Sequence, residues 1–155
     1  MRFQVVPAAY VFLRRTGDGV DQLLLQLREG TGFMDGHWAA AAAGHVEAGE
    51  SVLEAAVREA TEELGIDIDP ADLVPLCAMH RTASPHGPID ERVDFFFECR
   101  RWTGDPRTQE ADKSADLRWF DLDALPDPVV PHEHQVMTAL REGTLQPVVT
   151  HGFGD

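Results

Sequence analysis

The stretch from Gly44 to Ile66, GHVEAGESVLEAAVREATEELGI, constrains this chain more than any other. Its second half opens on Ser51-x-x-Glu54, a pattern in which the serine oxygen and the glutamate each satisfy an otherwise unpaired backbone donor at a helix start. A helix is therefore predicted from Val52 to about Leu64, closed by Gly65, which takes the left-handed conformation without a side-chain clash. At about 100° per residue, Leu53, Ala56, Val57, Ala60 and Leu64 share one stripe, the side expected to face a core. Glu59, Glu62 and Glu63 gather on another.

Residues three and four apart on a helix meet, so Glu59 and Glu63 repel by a few tenths of a kcal/mol in water. Arg58 answers only part of that charge, because it also lies one turn from Glu54 and Glu62. Two readings are open at this point. One is a solvated acidic face on a surface helix. The other is a site for a hard divalent cation such as magnesium, calcium or manganese, whose shell is shared with substrate phosphates.

Written from Gly44, the residues follow G-x5-E-x7-R-E-U-x-E-E-x-G-U, where U is aliphatic, with Glu50, Arg58, Glu59, Glu62, Glu63, Gly65 and Ile66 in place. This resembles the Nudix box, the signature of the Nudix hydrolases, and favours the metal reading. Ala60 is small where a bulkier aliphatic is common. The resemblance implies an α/β fold, the α/β/α sandwich with a mixed sheet, occupying residues 1–155 as a single domain. It implies Mg²⁺, with Mn²⁺ as a substitute, held by Glu59, Glu62, Glu63 and the backbone carbonyl of Ala43. Glu62 or Glu110 would be the general base, and Arg28 would contact substrate phosphates. Gly44, Glu50, Arg58 and Gly65 would shape the box, Glu50 and Arg58 as a pair. The reaction implied is attack of water on phosphorus in a nucleoside di- or triphosphate or a nucleoside diphosphate derivative.

Rival readings share the box. An ADP-ribose or dinucleotide pyrophosphatase belongs to the same superfamily, and Ser84-Pro85-x-Gly87 is a faint echo of its extra signatures. A non-catalytic nucleotide-binding module would be expected to have lost box glutamates, and all are retained. An isopentenyl diphosphate isomerase would carry a cysteine before the box, whereas the cysteines here, Cys77 and Cys99, both follow it. Two such cysteines suggest neither a disulfide framework nor a zinc site.

The flanking chain reads as strands over residues 4–14 and 20–27 joined by a turn at Thr16–Gly19, with Pro7 expected at an edge or a bulge. Further strands are predicted at 73–82, 92–101 and 117–120, and a last helix at about 132–142 stopped by Gly143. Family members commonly carry a proline and an extra glycine where this chain has Ala39–Ala43. In the loop 83–91, His86 and Asp90 are candidates for substrate contact. Phe95, Phe96 and Phe97 read as core, His132 and His134 as structural, and Trp38 and Trp119 as possible stacking surfaces.

Charge narrows the partners. The 155 residues hold 27 acidic against 13 basic side chains, a net charge of −14. Such a field repels nucleic-acid backbones and suits a small nucleotide that arrives with its cation. No segment approaches the 18 or so apolar residues that span a bilayer, so a cytoplasmic protein without membrane contact is expected. Monomer and homodimer both stay open.

Overall fold

The run Ala8–Leu13 is apolar without alternation, as a strand buried on both faces requires. In the computed structural model, which describes residues 2–154, it forms the middle of strand β1, Val6–Gly17. Ala9, Val11 and Leu13 feed one core, which is shared with the helix predicted from the box, α1, Val52–Leu64. Ala8, Tyr10 and Phe12 feed a second, shared with Val136 and Met137 of α2, Pro131–Glu142. A sheet with a helix on each face follows from this one strand, an α/β/α arrangement.

Around β1 stand β2 (Val20–Arg28), β3 (Trp38–Ala40), β4 (Ala42–His45), β5 (Val74–Arg81), β6 (Arg92–Cys99), β7 (Ser114–Asp121) and β8 (Val148–His151). The inner half of β1 runs parallel to β6 and antiparallel to β4, while its outer end, Arg14–Gly17, turns to pair with β2. β2 in turn carries β3 and β7. β5 joins β6 to the short edge strand β8, parallel to it. The sheet is mixed, as expected.

Several expectations need correction. Pro7 sits at neither an edge nor a bulge: it is the second residue of the central strand, where its carbonyl accepts from the Val46 N–H and no donor is required of it. Leu53 is 40% exposed, and Ala55 is buried in its place. The buried stripe is Ala55, Ala56, Ala60 and Leu64, with Val52 packed against the same core at its start. The Ala39–Ala43 run forms two short strands, β3 and β4, and β8 follows the last helix where no strand was expected. Strand β7 is longer than residues 117–120, and β6 ends at Cys99. The three phenylalanines pack into the two cores. No helix among the described residues is long and apolar enough to cross a membrane.

Candidate active site

The start of α1 is closed as its sequence dictates. Ser51 Oγ accepts from the Glu54 N–H and the Glu54 carboxylate accepts from the Ser51 N–H, a reciprocal cap at 3.1 and 3.0 Å. At the other end Gly65 adopts φ 68°, a conformation that favours glycine, and donates to the Thr61 carbonyl. Between these points Arg58 organises the preceding loop. Its Nε and Nη2 bind both oxygens of Glu50 at 2.7 and 2.9 Å, and Nη2 also donates to the His45 carbonyl. The guanidinium holds Glu50 well below the usual carboxylate range, at about 2.

Arg58 Nη1 reaches Glu59 at 2.9 Å and Glu62 at 3.2 Å. Gly44 lies against the Glu59 carboxylate so closely that a Cβ there would overlap it. Glu63 accepts the Ala43 N–H at 2.7 Å. In an antiparallel strand a residue's N–H and C=O point to the same side, so the Ala43 carbonyl also opens toward Glu63 rather than toward β1. Burial pushes the Glu63 carboxyl up to about 8, with the charges of Glu59 and Glu110 adding to the effect. Burial likewise raises Glu59, against the opposing pull of Arg58. Carboxyls gathered under this much mutual repulsion, all hard oxygen donors, fit a divalent cation. As they stand they lean on Arg58 and Ala43, and among the described residues no three acidic, histidine or cysteine side chains converge on one point at ligand distance.

These groups line a cleft of about 610 Å³ together with Arg28, Glu110 and Lys113. A bulge between Leu27 and Arg28, where β2 meets β7, falls where Arg28 enters the cleft. Arg28 is tied to the following loop through the Phe33 carbonyl at 2.8 Å and Thr31 Oγ1 at 3.0 Å. Glu110 stands in the 103–113 loop, 44% exposed, beside Lys113 at 3.4 Å. Every residue proposed from sequence for metal, base or phosphate thus borders one opening.

The cleft has a second lining that sequence reasoning did not single out. Tyr10, Arg81, His132 and Glu133, all nearly buried, form its floor. The Tyr10 hydroxyl lies 3.0 Å from His132 Nε2, and Arg81 Nε donates to Asp94 at 2.6 Å. Glu133 Oε1 accepts the Ala40 N–H at 2.7 Å, and burial pushes its carboxyl up to about 7. Burial also drives His132 well below the ordinary histidine range, so this imidazole is neutral. Arg92, at the rim, donates to His45 Nε2. The one local signal was Glu133 itself, an acid in the first turn of a helix of otherwise moderate charge.

Other candidates lie elsewhere. His86 Nδ1 pairs with Thr82 and Asp90 accepts the Gly87 N–H, each within its own loop and outside the cleft. Trp38 packs edge-on against Phe120, and Trp119 stacks on Trp102, with no share in the lining. Cys77 and Cys99 are buried away from it.

A family model described as the NUDIX domain matches residues 5–140. The NAD-capped RNA hydrolase NudC of Pseudomonas aeruginosa is 32% identical over 112 residues, 69% of this chain and 37% of that protein. An isopentenyl-diphosphate Delta-isomerase of Escherichia coli is 31% identical over 90 residues, 58% of this chain and 48% of that one. The chain therefore spans less than half the length of either relative. Among solved structures, a MutT NUDIX hydrolase from Burkholderia pseudomallei superposes with a TM-score of 0.76 at 27% identity, covering 87% of this chain and 97% of the other.

Proposed function

The chain belongs to the Nudix family, and on that premise we propose that it hydrolyses a diphosphate linkage in a nucleoside di- or triphosphate or a nucleoside diphosphate derivative, water attacking phosphorus. The observation that carries this reading is the set of box carboxyls, Glu59, Glu62 and Glu63, facing Arg28 across one cleft. Glu59, Glu62, Glu63 and the Ala43 carbonyl would hold Mg²⁺, or Mn²⁺ in its place. Such an ion neutralises diphosphate oxygens and lowers the pKa of water. Arg28 donates to the phosphates and orients them. Glu62 and Glu110, with side chains 53% and 44% exposed, are the carboxylates with water at hand, and one or the other would take the proton of the attacking molecule. Arg58 keeps its hold on Glu50 and so fixes the loop that carries Ala43 and Gly44 against the helix.

A dinucleotide pyrophosphatase is the second reading, and the NudC relative, whose name specifies an NAD-capped substrate, is what favours it. The isomerase relative is less apt, since neither cysteine borders the cleft. Chromatographic assays of product release (nucleoside monophosphate, pyrophosphate, sugar phosphate or inorganic phosphate) across nucleoside triphosphates, ADP-ribose, dinucleotides and sugar nucleotides, with Mg²⁺ and with EDTA, test the proposal. Metal-dependent release from at least one class is expected. No release from any of them would leave a binding module in its place.

A further inference from the structure

Resting on the reading that the cleft takes a nucleotide, we propose that Glu133 and Arg81 read the base. They select an edge that carries a carbonyl oxygen beside a ring N–H, as in guanine or hypoxanthine, over adenine.

Glu63 accepts the Ala43 N–H and Glu133 the Ala40 N–H, three residues apart, so the carboxyls of α1 and the floor adjoin along one short stretch of chain, in a cleft that Arg28 also lines. A nucleotide with phosphates at Arg28 and α1 therefore sends its base toward the floor. Glu133 is 3% exposed. Its Oε1 is committed to the Ala40 N–H, Oε2 has no hydrogen-bond partner among the described residues, and the residue lines the cleft. Arg81, 7% exposed, commits Nε and Nη2 to Asp94 and Tyr10 and leaves Nη1 unused among the same residues.

Neither Glu133 Oε2 nor Arg81 Nη1 is among the fully buried unpaired atoms, so both keep access to solvent, and one acceptor and one donor are thus open on residues of the same floor. Tyr10 and His132 bond each other at 3.0 Å. A carboxylate oxygen accepts an N–H, and a guanidinium donates to a carbonyl. Guanine and hypoxanthine present the O6 acceptor beside the N1–H donor, whereas adenine presents the N6 amino donor beside the N1 acceptor, the reverse pattern, which a neutral amide matches.

Nucleoside monophosphates carry no diphosphate linkage, so their binding isolates base reading from hydrolysis. By titration calorimetry in Mg²⁺ at about pH 8.5, above the value of about 7 to which burial raises Glu133, GMP and IMP are expected to bind at least about tenfold more tightly than AMP, and 1-methyl-GMP, which lacks the ring N–H, as weakly as AMP. Glu133→Gln supplies the neutral amide and still accepts the Ala40 N–H. It is expected to bring the GMP/AMP ratio within about threefold of unity at a nearly unchanged melting temperature. AMP binding as tightly as GMP, an unaltered ratio in Glu133→Gln, or no binding of either at millimolar concentration would overturn the proposal. A preference for GMP in a protein that hydrolyses nothing would count against the hydrolase reading alone.

Discussion

A methyl group on Gly44 would meet the end of the Glu59 side chain, not backbone. That end can swing away at little cost to the fold, but it cannot do so and keep its place beside Glu63. Gly44→Ala is therefore expected to lower turnover by at least about tenfold, about 1.36 kcal/mol of barrier per decade, with a melting temperature close to wild type. Glu62→Gln and Glu63→Gln are expected to lower turnover at saturating Mg²⁺ by at least the same factor. Wild-type rates in both would return these glutamates to the status of a solvated face. Arg58→Lys tests the pair with Glu50 separately: a point-like ammonium cannot bind both carboxylate oxygens and the His45 carbonyl from one plane. A lower midpoint in denaturant unfolding is expected, because a contact made by several charge-assisted hydrogen bonds is lost.

The box helix was legible in the sequence because everything that defines it is local: its cap, its glycine stop and its carboxyls lie within a few turns. Ala60, the one unusual residue in the motif, is fully buried against β1 and β4. Its small size sets the close approach of helix to sheet. Ala60→Leu should destabilise by about 1–3 kcal/mol through overpacking, read as a lower denaturant midpoint with an unchanged slope. What escaped the sequence is what distant segments create together. The Ala39–Ala43 run has little strand propensity of its own and becomes β3 and β4 because β2 and β1 offer pairing edges. β8 exists only through β5. The floor escaped for the same reason: Tyr10 and His132 touch across 122 residues of chain, a relation that no motif encodes.

For the molecule as a whole, the buried carboxyls govern how stability responds to pH. Glutamates that titrate near 4.5 when free are held at about 8 for Glu63 and about 7 for Glu133. Between those values the folded chain retains protons that the unfolded chain has lost, so in EDTA these groups make stability fall as pH rises from about 4.5 to 8. Glu50 runs the other way: held at about 2, it contributes fully above about 4.5 and loses that contribution as pH falls toward 2. The EDTA optimum is accordingly expected on the acid side of neutrality. A cation bound to the ionised carboxyls offsets the alkaline loss, so the rise in melting temperature with millimolar Mg²⁺ should be larger at pH 8 than at pH 5. An equal rise at both, in scans by differential scanning fluorimetry, would contradict this. The cations on the cleft wall have a further consequence. Arg28, Arg81, Arg92 and Lys113 open onto one cavity in a chain of net charge −14. An approaching polyanion is repelled over long range and, once a divalent cation offsets the glutamates of the same lining, attracted only within the last few ångströms. Raising NaCl from about 10 to 150 mM shortens the Debye length from about 30 to 8 Å and shields the first effect more than the second. Encounter should then quicken with ionic strength, the opposite of what a basic nucleotide-binding surface does.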